Sequence, residues 1–223
     1  MKRYDKDILL KETLRSEARG YHKLKKQNGG PGQFAIVELI MRPLARGGGF
    51  RFLNSVIEGR IPDEFVPSLE KGTREALARG GLAGFPVVDV QVEVLDGAHH
   101  RKDSHGRDFQ TAGRMAVQNA LCTGKSAFLE PLGAFEIGCP TGAIGAVLGR
   151  LSARRAHVRE MDFQDTVHVI RGEIPFLELE GLESELRSLT SGSGTFQVSA
   201  SHDDLMPESI TEAVLRQLRE EQD

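Results

Sequence analysis

Tryptophan is absent from the 223-residue chain, and cysteine occurs only at Cys122 and Cys139, with no CxxC spacing. That argues against a zinc ribbon and a disulfide-stapled scaffold, and fits a reducing cytoplasm. No apolar run approaches the ~20 residues a membrane-spanning helix needs. The N-terminus MKRYDKD has no apolar stretch behind its charges, so it does not read as a secretory signal. Catalytic signatures are missing as well: there is no GxSxG, no HExxH and no histidine close in sequence to either cysteine. The pair Asp203-Asp204 reads as solvation or capping in a strand-to-helix turn, not as acid–base machinery. No catalytic residue and no resident metal or cofactor is assigned.

The net charge of −3 hides a division. Residues 1–125 hold 21 Lys and Arg against 15 Asp and Glu, a balance of +6; residues 126–223 hold 8 against 17, a balance of −9. Two units with different partners are expected, the basic one being the candidate for nucleic acid.

Apolar periodicity supplies the elements. Residues 8–20 read as an opening extended segment, followed by the basic, glycine-rich loop 22-HKLKKQNGGPGQF-34. A strand over 33–44, apolar on both faces, and a strand over 50–56 flank the turn 46-RGGG-49, which predicts a hairpin. A helix over 63–81 places Val66, Leu69, Thr73, Ala76 and Leu77 on one face and ends at Gly80-Gly81. The alternation in 86-PVVDVQVEVLDG-97 predicts a half-buried strand with Val88, Val90, Val92 and Val94 inward and Asp89 outward. A polar loop over 97–109 then leads into a helix to about Leu121. Beyond it the order is strand 128–139, helix 141–155 capped by Thr141, strands 157–162 and 166–174, helix 178–190 and strand 195–201. This βαββαβ order is the ferredoxin-like pattern. A last helix begins at Pro207, its stripe of Ile210, Val214 and Leu218 needing a host.

Two loops carry candidate chemistry. In the first, Lys23, Lys25 and Lys26 supply charge for phosphates, while Gly29, Gly30 and Gly32 let backbone amides approach a ribose-phosphate chain. The alternative is a solvated hairpin end. The second loop, 99-HHRKDSHGR-107, reads as an exposed polar loop, as an RNA contact, or as a metal site built from His99, His100, Asp103 and His105. The octamer 119-NALCTGKS-126 only superficially resembles a phosphate-binding loop. Asn119 replaces its first glycine, and the helix precedes where a strand is required. Gly142, Gly145 and Gly149 line one side of the helix over 141–155 and predict close packing on the sheet.

Several ordered motifs resemble elongation factor G. In the basic half, 26-KQNGGPGQF-34, 61-IPDEFVPSLEKG-72, 82-LAGFPVVDV-90 and 129-LEP-131 are similar to the family's fourth domain. In the acidic half, 144-IGAVLGRLSARRA-156, 172-GEIP-175 and 186-LRSLTSG-192 are similar to its fifth. The resemblance implies an α+β protein of two domains. Residues 1–125 would form a domain like ribosomal protein S5, with a βαβ unit of left-handed crossover. Residues 126–205 would form a ferredoxin-like domain, and 206–223 a C-terminal helix docking on one of the two. It also implies a piece of a longer GTPase, with GTP and magnesium held in a domain not represented here and no enzymatic activity in this part.

The implied partners are the ribosome and its rRNA, with no membrane contact and a monomeric chain in the cytoplasm. One tip loop, of His22, Lys23, Lys25, Lys26, Gln27, Asn28, Gly29, Gly30, Gly32 and Gln33, and a second, of His99, His100, Arg101, Lys102 and His105, would meet the small-subunit decoding region, the A-site tRNA and the mRNA. His100 falls at the family's tip histidine. Arg150, Arg154 and Arg155 would face the GTPase-associated region of the large subunit. Pro31 stands where the family usually has a basic residue, and 191-SGSGT-195 lacks the basic residues that usually follow LRSLT; both point to a diverged paralogue. The implied activity is tRNA–mRNA translocation. Ribosome recycling and ribosome protection are alternatives within the same architecture, and a protein-interaction module without RNA contact is the alternative of another class.

Overall fold

A computed structural model describes residues 10–27, 32–81, 83–164 and 166–220. They form two compact units, one of residues 10–128 with 206–220 and the other of residues 129–205.

The first unit begins with β1 (Lys11–Leu14), β2 (Ala18–Lys26), β3 (Gln33–Pro43) and β4 (Phe50–Asn54). It continues with α1 (Val66–Arg79), β5 (Val90–Ala98) and α2 (Gly106–Thr123). The sheet order is β2-β3-β5-β4. The β2–β3 and β3–β5 pairs are antiparallel, whereas β4 runs parallel to β5 and reaches it through α1, a βαβ unit. Ala35, Val37, Leu39 and Met41 of β3 and Val90, Val92 and Val94 of β5 bury one sheet face against α1 and α2. Phe34, Ile36 and Glu38 lie half-buried, so β3 is not apolar on both faces along its length.

The hairpin expected around 46-RGGG-49 does not form, because β2 and β5 already occupy both edges of β3. Asp89 redirects the chain instead. It has φ 56° and is only 4% exposed, and its carboxylate accepts the N–H groups of Gly47 (3.2 Å) and Gly49 (2.9 Å) and a guanidinium N–H of Arg46 (3.1 Å). The glycine turn is thereby anchored at the start of β5, and β4 leaves it alongside β5. The same left-handed residue breaks the alternation expected from 86 onward, so Val87, not Val88, is buried and β5 begins at Val90.

The two helices pack through glycine. A Cβ added at Gly72 would stand 2.0 Å from the Gln110 carbonyl oxygen, and one at Gly113 would stand 2.5 Å from a Leu69 methyl. A terminal helix, α5 (Glu208–Glu220), belongs to this unit, with Val214 buried and Arg15 3.9 Å from Glu208.

The second unit contains most of β6 (Ser126–Pro140), then α3 (Ile144–Ala153), β7 (His157–Gln164), β8 (Val167–Pro175), α4 (Leu182–Leu189) and β9 (Thr195–Leu205). The strands lie in the order β9-β6-β8-β7, each neighbour antiparallel, which is the ferredoxin-like arrangement. Asp203 and Asp204 lie within β9 and not in a turn after it. Thr141 opens a short 3-10 turn and makes no side-chain cap; α3 starts after Ala143.

Arg155 holds this unit together. It follows α3 with φ 57°, a left-handed position usually given to glycine. Its guanidinium makes a two-pronged contact with Glu130, one prong at 2.9 Å, and donates to Glu178 at 3.0 Å. Burial disfavours the Arg155 charge, but Glu130 and then Glu178 more than offset it and raise its pKa. Glu130 is itself buried, so the pair links β6 to the segment after β8. Gly142, Gly145 and Gly149 do not pack on the sheet: they are exposed, and a Cβ at any of them would meet nothing within 4 Å.

Arg155→Ala strands the buried Glu130 carboxylate and is expected to destabilise the second unit by about 3 kcal/mol, measured by urea unfolding. In the same assay Gly72→Ala costs about 1–3 kcal/mol by overpacking the helix crossing. Gly149→Ala adds about 0.5–1 kcal/mol, because a solvent-facing helical glycine gains only helix propensity. A destabilising Gly149→Ala would contradict the packing described.

Candidate nucleic-acid interface

The β2–β3 hairpin carries the first basic loop on long strands, with Lys26 opposite Gln33 and Lys25 opposite Phe34. Along β2 the buried side is Ala18 and Gly20, with His22 and Leu24 half-buried; Tyr21, Lys23 and Lys25 point to solvent. Near its end Lys26 and Gln27 are exposed too. Burial lowers the pKa of His22, so it stays neutral at pH 7 and the lysines carry the charge. Asn28, Gly29 and Gly30, named from sequence, lie with Pro31 outside the described residues.

The second loop joins β5 to α2 and is tied to the hairpin. The Phe34 N–H donates to the Asp103 carbonyl (2.9 Å), and the Ser104 hydroxyl donates to the Phe34 carbonyl (2.6 Å) while accepting the His100 N–H (2.8 Å). A Cβ on Gly32 would strike the Asp103 side chain at 2.7 Å, so the hairpin backbone passes directly against this loop. The His100 ring meets the Phe34 ring edge-on at 6.2 Å, and its Nδ1 lies 2.8 Å from Asp103 Oδ2. A shallow cleft of about 210 Å³ between the loops is lined by Lys25, Lys26, Gln33, Phe34 and His100 among others.

Among the described residues, Lys23, Lys25, Lys26, Arg101 and Lys102 have no ion pair. They form one cationic end, with His100 as its exposed ring. The remaining histidines have other tasks. His99 lies 3.1 Å from the Arg60 carbonyl. His105 caps α2: its N–H donates to Asp108, whose buried carboxylate also lies 3.2 Å from the ring, in a reciprocal capping box. His105 is therefore a helix cap whose ring remains exposed. Among the described residues no group of three or more His, Cys, Asp or Glu could hold a metal ion, so His99, His100, Asp103 and His105 do not converge.

Two of the three large-subunit candidates are also corrected. Arg154 is 6% exposed and donates to the Glu178 and Glu180 carbonyls, with Glu185 at 2.9 Å; Arg155 is consumed by Glu130 and Glu178. Only Arg150 projects from the surface, 3.3 Å from Glu185. In residues 129–205 all six arginines, Arg150, Arg154, Arg155, Arg159, Arg171 and Arg187, have a carboxylate partner. The phosphate-loop look-alike is the end of α2 followed by β6, the reverse of the strand-then-helix order that cradles a nucleotide, so it does not fit GTP. Sequence reasoning missed Phe34 and Ser104 and named Asp103 only as a possible metal ligand, whereas these three tie the two loops together. Nothing short of the strand register reveals their meeting.

Comparison with known proteins agrees with this layout. The family "Elongation factor G, domain IV" matches residues 6–125, and "Elongation factor G C-terminus" matches residues 127–214. Elongation factor G of Aquifex pyrophilus is 40% identical over 208 residues, covering 93% of this chain and 30% of the relative. A crystal structure of a protein from Thermus thermophilus superposes with a TM-score of 0.85 at 29% identity, covering 96% of this chain and 32% of that one. The chain thus spans about a third of the length of these relatives. With two successive matches spanning residues 6–214, the chain belongs to the elongation factor G family and carries its domain IV followed by its C-terminal domain.

Proposed function

We propose that this chain is the ribosome-engaging part of an elongation-factor-G-type GTPase that promotes tRNA–mRNA translocation in the cytoplasm. The observation that carries the proposal is the pair of tied loops, whose lysines and arginines are left without carboxylates. Unpaired, solvated cations close together are what a ribose-phosphate chain selects, because each phosphate neutralised releases counterions. The second unit, with its arginines paired internally, takes a scaffolding role, and Arg150, surface-exposed beside Glu185, is the one of the three candidate arginines left to meet the large subunit. GTP and magnesium would be held, and hydrolysis performed, outside residues 6–214. The role of this part is mechanical. The tip enters the decoding region as a wedge beside tRNA and mRNA, while Gln27, Gly32 and Gln33 present backbone and amide groups to RNA. His100, held by Phe34 and Asp103, offers a ring for stacking. The chain works as a monomer, and its isolated affinity is weak because few phosphates are met.

In the full-length parent, changing Lys23, Lys25, Lys26 and His100 to Ala is expected to slow ribosome-dependent tRNA movement by at least about tenfold, roughly 1.4 kcal/mol of barrier. Ribosome-stimulated GTP hydrolysis should persist. Normal movement in a rapid-mixing assay would remove the tip from the mechanism and leave ribosome recycling or protection as the function. Absence of any salt-dependent footprint on rRNA at these loops would favour a protein-binding role.

A further inference from the structure

Beyond the tip, three shallow clefts run together. The tip cleft shares Gln33 with a larger one of about 580 Å³ that reaches Ser68, His105 and Arg107. That cleft in turn shares Arg107 and Gln110 with a third, of about 240 Å³, which ends at Arg114. The result is one valley that leaves the hairpin and follows the partly exposed flank of α2.

Its charges are not balanced. Three acids line it, each hydrogen-bonded within the protein: Asp103 with His100, Asp108 with His105, and Glu75 with the Gln110 amide at 2.7 Å; four cations stand against them. The cations Lys25, Lys26, Arg107 and Arg114 have no partner among the described residues. Arg107 also sits in the first turn of α2, where the helix dipole disfavours a positive charge. By contrast Arg74, on the neighbouring helix, is held by Glu70. Arg107 and Arg114 are seven residues apart, roughly 10 Å along the helix axis, so both can meet one extended polyanion.

We infer that this valley is a track for the phosphate backbone of a single RNA strand, continuing from the tip along α2 to Arg114. The inference rests on the RNA-binding reading of the tip and extends it. Among the described lining residues, the Phe34 and His100 rings stand at the tip end and the His105 ring is held at the start of α2 by Asp108, while the α2 stretch beyond it offers arginine, amide and hydroxyl donors. Bases are therefore stacked at the tip alone, and the α2 stretch reads backbone without sequence preference.

The test measures binding of the whole chain to a fluorescent single-stranded RNA by anisotropy across a salt series. Three proteins are compared: the unaltered chain, a tip variant (K23A/K25A/K26A) and a track variant (R107Q/R114Q). The track variant should lower the slope of log K against log salt by about 1.4, or 0.7 per phosphate contact on a single strand. The loss should be equal for all-uracil and all-adenine strands. Arg107 is exposed and Arg114 half-buried, and neither has an ion pair among the described residues, so its melting temperature should be nearly unchanged. An unchanged slope in the track variant, with binding still lost in the tip variant, overturns the track and leaves the tip. No effect of either variant overturns both. A track that binds poly-glutamate through Arg107 and Arg114 but shows no arginine-dependent RNA binding is a protein site, and the inference fails.

Discussion

Two hydrogen bonds to the backbone of Phe34 turn separate loops into one surface. The Phe34 N–H and carbonyl are taken by Asp103 and Ser104, and Ser104 also receives the His100 N–H. Each bond contributes about 1 kcal/mol, which is modest in energy but decisive in placement. Strand pairing sets the roots of the hairpin and the β5–α2 loop side by side at Ile36 and Ala98, and these bonds carry the contact outward into the loops themselves. With them, Lys25, Lys26 and His100 face one cleft, and the cost of ordering the two loops is met during folding instead of on binding.

Charge pairing divides the chain by role. In the second unit every arginine has a carboxylate, and Arg155 with Glu130 and Glu178 forms a buried network whose loss leaves an acid uncompensated. In the first unit some arginines are used in the same structural way: Arg42 binds Glu93, and Arg46 binds Asp89. The cations at the tip and along α2 are not. Net charge alone hides this, since a paired arginine and a free one count equally. The difference between +6 and −9 points to the same unit as the pairing does, but only the pairing shows which residues are available to an anionic partner.

Much of the fold was legible where periodicity was regular. The helix face of Leu69, Thr73, Ala76 and Leu77 and the βαββαβ order both follow from apolar spacing, because a single buried face imposes it. The misread places are those where one side chain overrides the local pattern. The turn at Gly47–Gly49 has hairpin composition, yet Asp89, forty residues later, captures its amides and sends β4 to the far side of β5. Thr141 has capping chemistry without the geometry. The glycines of α3 have packing spacing but look into solvent. Arg154 and Arg155 looked like surface cations because burial and partners depend on contacts far along the chain. In the candidate site, composition located the loops. The tie at Phe34 and the continuation to Arg114 depend on register and helix orientation, which composition does not encode.

The central claim is that the two tied loops act as one binding surface for RNA. Backbone amide NMR of the isotopically labelled chain, titrated with a short single-stranded RNA, tests it most directly. The account predicts that shifts appear together, with one affinity, in residues 22–27, 32–34 and 99–104, and that residues 129–205 remain still. Shifts confined to one loop, two loops titrating with different affinities, or a response centred on the second unit would contradict it.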